Sequence, residues 1–375
     1  MGKYVLAPQF ELHTAPEVIT YEIMHMERVA ATITDTGVAK VLQEQFLPFD
    51  LYLEEDDDFD TRINNLNVFH GWCASRVLSL DRVYAKEIMN SIGATQETTD
   101  QARAQISLSY HCVSLTDVHW VRQAEEPVTF EELNLYDHPL NAAFIPLPLK
   151  GKPLTVTNRE LAQDLSTKGY FPKAWIRTEE GFQLLKDGGK EVVDRELLAS
   201  RICQCFDVPQ VIYERSAYDG VDVTCSKIIT SKEYAMVSYR AYGIYTANHA
   251  LDTIQECIRL DPITYYGMNI LDYLIGNIDR HPENWGLLVD NKTNQPISLY
   301  PVMDFNMSFQ AYDTLDGAKC LTVGDRKMTQ REAAIEGVKA IGLRMSREMD
   351  LRQFDGKDQE REMFLLRLAE LKKYG

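Results

Sequence analysis

Apolar residues change their spacing along this chain, and the changes mark out its elements. In residues 64–91, Leu66, Phe69, Trp72, Cys73, Val77 and Leu80 recur at mostly three-to-four spacing, which predicts a helix with one buried face. From Lys173 the runs become short and extended. Residues 173–177 and 182–186 flank Thr178-Glu179-Glu180-Gly181 and predict a hairpin, closed by Asp187-Gly188-Gly189. A helix is expected over about 191–206, with Val193, Leu197, Ile202 and Phe206 on its buried side. Residues 211–213, 221–229 and 234–239 read as three further strands, so this stretch predicts a small α+β lobe. Beyond about Ala247 the pattern is mainly helical. Tyr266, Ile270, Leu271, Leu274 and Ile275 share a face that ends at Gly276, Thr329 and Glu332 have the spacing of a capping box, and a last helix is expected over about 358–373.

The Pro- and Gly-rich stretch 144–153 reads as a connector. The expected organisation is therefore an accessory region over 1–150, a β-rich lobe over 151–246 and a mainly helical lobe over 247–375. The acidic run 54–58 reads as a solvated loop, because contiguous carboxylates lack the alternating spacing of a calcium loop.

The segment 274–304 carries the candidate chemistry. A helix ends at Gly276, a polar loop holds Asp279, Arg280, His281 and Asn284, and residues 286–289 and 297–302 read as a hairpin with Asp304 just beyond it. Asn284 and Asp304 are equidistant from position 294 in the turn, and facing residues of an antiparallel pair lie about 5 Å apart. Both side chains offer oxygen, the ligand a hard divalent cation such as Mg²⁺ takes alongside phosphates. Asp279 is then placed to accept a proton from an attacking hydroxyl, with Arg280 and His281 as nearby positive or hydrogen-bonding groups. Upstream, Lys186 ends a strand and Glu196 lies in the next helix. Each alone reads as a solvated surface residue. Together they match a strand lysine positioned by a helix glutamate, the pair that holds nucleotide phosphates in kinases. Gly181 would lie in the turn over those phosphates, though the turn does not match G-x-G-x-x-G.

Charge narrows the partners. Against 39 Lys and Arg stand 56 Asp and Glu, a net charge of −17 over 375 residues, and such a surface repels phosphate backbones, so direct nucleic-acid binding is not expected. No apolar run approaches a membrane span, and the first residues do not read as a signal peptide. The seven scattered cysteines lack zinc-ligand spacing and read as reduced thiols of a cytoplasmic protein.

Gly276-Asn277-Ile278-Asp279-Arg280-His281, Asn284-Trp285-Gly286 and Met303-Asp304-Phe305-Asn306 resemble the HipA-like serine/threonine protein kinases, and the loop is also similar to that of phosphoinositide kinases. The resemblance covers roughly 170–345. It implies a bilobal protein-kinase-like α+β fold with an additional α/β N-terminal region, and an ATP- and Mg²⁺-dependent kinase acting on an unidentified protein. An antitoxin-like regulatory partner, as in toxin–antitoxin pairs, is also implied. By position, Asp279 resembles the catalytic aspartate, with His281 beside it, Asn284 and Asp304 the metal ligands, Lys186 the ATP-phosphate lysine and Glu196 its partner. Residues 237–240, with Tyr239, look like the adenine-binding hinge. Asn306 stands where many kinases have the glycine of Asp-Phe-Gly. Residues 114–120 are similar to a segment upstream of the kinase region in shorter HipA-like proteins, where Trp120 is expected to pack against the small lobe; the usual HipA N-terminal domain is not matched. Two other readings keep the same fold: a lipid or small-molecule kinase, and a catalytically idle binding module.

Overall fold

The computed structural model describes residues 18–76, 99–138, 148–149, 152–153, 173–179, 181–186, 188–218, 220–310 and 314–375. The first sheet is covered on both faces. β1 (Thr20–His25), β2 (Arg28–Thr34), β3 (Ala39–Val41) and β4 (His119–Gln123) pair antiparallel in the order β3-β2-β1-β4. Successive side chains of a strand point to opposite faces. Ile23 and Val121 accordingly join Phe69, Trp72 and Cys73 of α1 (Phe59–Ser75) and Ala104 of α2 (Asp100–Leu108). Their neighbours Met24 and Trp120 face the other way, into a cluster with Tyr110, Leu115 and the Phe130 and Leu133 of the short α3 (Phe130–Leu133). Helix α1 starts five residues earlier than its apolar spacing suggests, because Asp58, the end of the acidic run, accepts the amides of Asp60 and Thr61 as an N-cap. The part of that expected helix beyond residue 76 lies outside the described residues, as does most of the 144–153 connector. There, β5 (Pro148–Leu149) and β6 (Lys152–Pro153) form a two-residue ladder.

A second antiparallel sheet, order β7-β8-β10-β9, contains β7 (Lys173–Thr178), β8 (Gly181–Lys186), β9 (Glu214–Tyr218) and β10 (Val221–Lys227). Helix α4 (Lys190–Cys203) packs on it, with Val193, Leu197 and Ile202 buried as their spacing predicts. Trp175, Phe182 and Ile228 of this region pack against the Trp120 cluster, which is the contact expected of Trp120. Arg177 lies over the Phe182 ring and donates to the carbonyls of Leu135, Tyr136 and Asp137.

The third sheet departs from expectation. β11 (Tyr234–Ser238) does not extend the second sheet but pairs with β12 (Gly286–Asp290), which pairs with β13 (Gln295–Leu299). The reason is close backbone approach at Gly286: a Cβ there would sit 2.0 Å from the Val237 carbonyl oxygen. Ser238 caps helix α5 (Tyr239–Asn248) through the Ala241 amide, so Tyr239 opens a helix that runs across position 246. Residues 211–213 are likewise not a strand; Val211 donates to the Val302 carbonyl and Val302 to that of Pro209. At the β12–β13 turn, the Asn294 amide donates to the carbonyls of Gln45 and Leu47, fastening the hairpin to the first sheet's 3-10 turn.

The later described helices are α6 (Thr253–Leu260), α7 (Pro262–Ile275), α8 (Gln330–Ile341) and α9 (Asp358–Leu371). α7 is their core: Tyr265, Ile270, Leu271 and Leu274 are buried with Val338, Phe364 and Leu368. Gly276, at φ 60°, ends α7 in the left-handed cap its sequence predicts, and Thr329 and Glu332 form the expected capping box. The fold is thus mixed α/β, with several antiparallel sheets and helices. No described helix is long and apolar enough to cross a membrane. The seven cysteines are free thiols.

Candidate active site

Lys186 closes β8 opposite Thr224 of β10 and is buried. Its ammonium lies 2.8 Å from Glu196 Oε1 and 2.7 Å from Asp304 Oδ1. The other oxygen of Glu196 accepts the Thr224 hydroxyl at 2.6 Å, and the ammonium sits 5.4 Å over the Tyr213 ring. Burial opposes the charge, but the Asp304 and Glu196 carboxylates outweigh it and hold the Lys186 pKa well above the ordinary lysine value. A buried ammonium is tolerable only with such pairing. Asp304 itself is a non-glycine residue at φ 58°, held there in part by its amide, which donates to the Tyr213 hydroxyl at 3.0 Å.

The loop after α7 is organised by Asp272, the one charged residue of that helix, in its last turn. Asp272 accepts two hydrogen bonds from Arg280, from Nε and Nη2, each 2.9 Å, and one from Asn277 Nδ2 at 3.0 Å. Burial disfavours the guanidinium, yet Asp272 raises the Arg280 pKa above its usual value. The remaining Arg280 nitrogen, Nη1, donates to the Asn284 carbonyl at 2.8 Å and to that of Met303. One guanidinium therefore joins the loop of Asp279 to the residue before Asp304. Asn277 adds a second tie: Oδ1 accepts the Asp279 amide at 3.3 Å and Nδ2 reaches the Asp304 carbonyl at 3.4 Å.

The ladder does not bring Asn284 and Asp304 together by the symmetry first expected. The register is Leu287↔Leu299 and Leu288↔Ser298, with an irregularity before Val289↔Pro296; continued outward, it sets Asn284 opposite Val302. Arg280, rather than strand pairing, joins their two segments. Asn284 Nδ2 donates to the Asp279 carbonyl at 2.8 Å, which leaves Oδ1 as the atom suited to a cation. An amide oxygen and the Asp304 carboxylate are the donor set a hard ion such as Mg²⁺ accepts. Among the described residues no cluster of three or more His, Cys, Asp or Glu is placed to hold a metal, so phosphate and water oxygens would complete the shell.

Asp279 and His281 are both half-exposed, with His281 Nε2 4.0 Å from Asp279 Oδ2. His281 Nδ1 accepts the Glu283 amide. Tyr239 stacks on Trp285, ring centroids 4.2 Å apart, one residue from Asn284. Gly181 is exposed at φ 108° and lies at the far end of β8, about 17 Å along the strand from Lys186. The structure thus gathers Lys186, Glu196 and Asp304, and ties Asp279, Asn284 and the segment of Asp304 through Arg280 and Asn277; it does not bring Gly181 to them. Sequence reasoning missed Asp272, Asn277, Tyr213 and Thr224. Asp272 had a signal: a carboxylate between Leu271 and Leu274 on a buried stripe requires a partner.

No protein-family model and no curated protein sequence matches this chain. Its fold has a solved counterpart in HipA of Shewanella oneidensis MR-1, determined as a toxin–antitoxin complex with HipB and operator DNA. That structure aligns over 94% of this chain and 97% of its own length at TM-score 0.54 and 11% identity. The Helicobacter pylori proinflammatory kinase CtkA aligns over 54% of this chain and 90% of its own at TM-score 0.38 and 14% identity, too slight a likeness to argue from. The first alignment shows a HipA-like fold and, contrary to expectation, extends over the N-terminal part of HipA as well.

Proposed function

We propose that this chain is an ATP- and Mg²⁺-dependent phosphotransferase of the HipA-like type, transferring a phosphoryl group to serine or threonine hydroxyls of a protein. One observation supports it above others: a buried lysine bridges a helix glutamate and the aspartate that follows the hairpin. Structural burial alone gives no reason to desolvate three charges together; a phosphate-binding cation that must be aimed does.

In this reading the cleft lies between a small lobe formed by the Lys186 sheet and a helical lobe built on α7. This keeps the division 1–150, 151–246 and 247–375 in outline. Asn284 Oδ1 and the Asp304 carboxylate would hold Mg²⁺, which would supply neutralisation of the phosphate charge. Glu196 holds Lys186 while its ammonium exchanges Asp304 for phosphate oxygen. Asp279 accepts the proton of the acceptor hydroxyl as that oxygen bonds to phosphorus, and the leaving diphosphate departs with the P–O bonding pair. Tyr239, backed by the buried Trp285, offers an aromatic wall for the base. The HipA complex suggests a HipB-like regulatory partner, and because it includes operator DNA it gives no support to the expectation that this chain avoids nucleic acid. An ATP-containing, cytoplasmic setting follows from the same reading.

Incubation with Mg²⁺ and γ-labelled ATP, with and without cell lysate, tests the proposal. Labelled serine or threonine is expected, falling about 10²–10⁴-fold in Asp279→Ala. Mg-ATP binding without transfer would leave the idle-module reading, and labelled lipid in place of protein the lipid-kinase one. Absence of both binding and transfer overturns the proposal.

A further inference from the structure

Gln330 is the first residue of α8, a position where a glutamine is normally solvated, yet it is only 5% exposed. Its side chain is used at both ends. Oε1 accepts the Ala318 amide at 3.1 Å, and Nε2 donates to the Asn277 carbonyl at 2.5 Å. Its own amide donates to the Ala318 carbonyl at 2.8 Å. One residue therefore encloses the backbone of Ala318 and reaches into the loop that carries Asp279.

The surroundings fit that use. Gly317 sits at φ 70°, and a Cβ there would lie 2.7 Å from Gln330 Oε1, so the approach to Ala318 needs glycine. The flanking segment is fixed at several other points. Tyr273 Oη donates to the Leu315 carbonyl, Arg367 to that of Thr314, and Arg331 pairs with Asp316 and Glu370. Gln330 connects this anchored segment with Asn277, whose side chain accepts the Asp279 amide and reaches the Asp304 carbonyl.

We propose that Gln330 is a positioning residue: by bonding the Asn277 carbonyl while clasping Ala318, it fixes where the Asp279 carboxylate stands relative to the segment 314–320. This inference rests on Asp279 being the proton acceptor. The Lys186, Glu196 and Asp304 side chains make no direct bond to Gln330, and Asp304 is linked to it only through the long 3.4 Å contact from Asn277 to its carbonyl, so nucleotide binding depends on Gln330 less than proton transfer does.

Two variants test the idea. Gln330→Met keeps the length and removes both bonds. Gln330→Glu keeps the acceptor for Ala318, but its carboxylate faces the Asn277 carbonyl and repels it; when protonated, the carboxyl restores the donor, and burial raises its pKa. Phosphoryl transfer from labelled Mg-ATP, to the chain itself or to water, is expected to lose about 10²-fold in kcat for Gln330→Met, with the KM for ATP changing far less. Gln330→Glu is expected to be as slow at pH 8 and to recover relative to wild type at pH 5.5. Hydrogen exchange of amides 277–285 is expected to quicken in Gln330→Met, while that of 181–186 stays as it was. Unchanged kcat, or Gln330→Glu activity that tracks wild type at every pH, overturns the inference. If the wild type transfers no phosphate, the proposed function fails, and the exchange measurement alone decides the tether: equal exchange at 277–285 removes it. If Gln330→Met does not fold, Gln330→Glu carries both measurements.

Discussion

Lys186 Nζ lies 2.7 Å from Asp304 Oδ1, although 118 residues separate them in sequence. The contact joins the last residue of β8 to a residue held at φ 58° beyond the hairpin. It makes the two halves of the candidate site sense each other's charge before any ligand arrives, and it sets the first expectation.

Replacing Lys186 with methionine leaves Glu196 and Asp304 facing each other without a cation. Breaking a buried pair in this way costs about 3–5 kcal/mol, and urea unfolding is expected to show a loss of that size together with abolished Mg-ATP binding by calorimetry. Glu196→Gln, which keeps the Asp304 contact, is expected to lose less. Equal stability of Lys186→Met and wild type would show that the cluster does not hold the fold together.

Arg280 gives the second. It is 2% exposed and paired at two points with Asp272. Asp272→Asn keeps the shape but removes the countercharge, which leaves a buried guanidinium unpaired at a cost of about 3–5 kcal/mol. Because Arg280 also fixes the Asn284 and Met303 carbonyls, transfer activity is expected to fall in the fraction that remains folded. Thermal denaturation and a labelled-ATP assay on the same sample separate the two effects; an active Asp272→Asn protein of unchanged Tm contradicts this account.

Gly286 gives the third. An added methyl would meet the Val237 carbonyl oxygen at 2.0 Å and Ser238 Cα at 2.8 Å, both rigid backbone. Gly286→Ala is therefore expected to push β11 from β12, costing at least about 1–3 kcal/mol, and to disturb the Tyr239–Trp285 stack. Near-UV circular dichroism reads that stack; an unaltered aromatic spectrum with unaltered stability would count against it.

The fourth concerns acid. His25 is fully buried, neither ring nitrogen has a hydrogen-bond partner among the described residues, and Phe46 and His119 pack against it. Burial first, then the nearby charges of His119 and Arg28, lower its pKa from 6.5 to about 3, with Asp117 opposing weakly. The unfolded chain thus binds this proton more readily than the folded one, so stability is complete above pH 6.5 and falls as pH drops from 6.5 towards 3. The loss over that window is roughly 3–5 kcal/mol. Asp117, held well below the usual carboxylate range by Arg76 despite its burial, adds to the loss only below its ordinary value near 3.8. His25→Phe is expected to flatten the dependence between pH 6.5 and 4 in denaturant titrations; an unchanged slope removes His25 as its source.

The parts of this fold that were legible in sequence are those fixed by local chemistry. The α7 stop at Gly276, the Thr329–Glu332 box and the β7–β8 hairpin need only neighbours in the chain. Lys186 and Glu196 were legible as a pair because a strand end and the following helix are tied by a short turn. Residues 234–239 were not placed correctly: a strand's pattern tells which face is buried but not which sheet it joins, and the choice here turns on the bare backbone of Gly286. Asn284 and Asp304 were chosen for a symmetry about position 294, but the Asp290↔Gln295 pair centres the turn between residues 292 and 293, and the irregularity at Leu288/Val289 makes up only part of the difference. Arg280, which joins their segments, was noted only as a nearby charge, because its several partners are distant in sequence or are carbonyls that no residue letter records.

Asn294 hangs its amide on the Gln45 and Leu47 carbonyls, while Arg177, Thr230 and Met236 lean on carbonyls between Leu115 and Asp137. Excising the first 138 residues would orphan donors on both the Lys186 sheet and the hairpin at once, and would strip cover from Trp175 and Phe182. The minimal unit to express, swap or evolve is thus the whole ensemble, and a transplant that cuts at the Pro-rich junction would carry away half of an internal buttress.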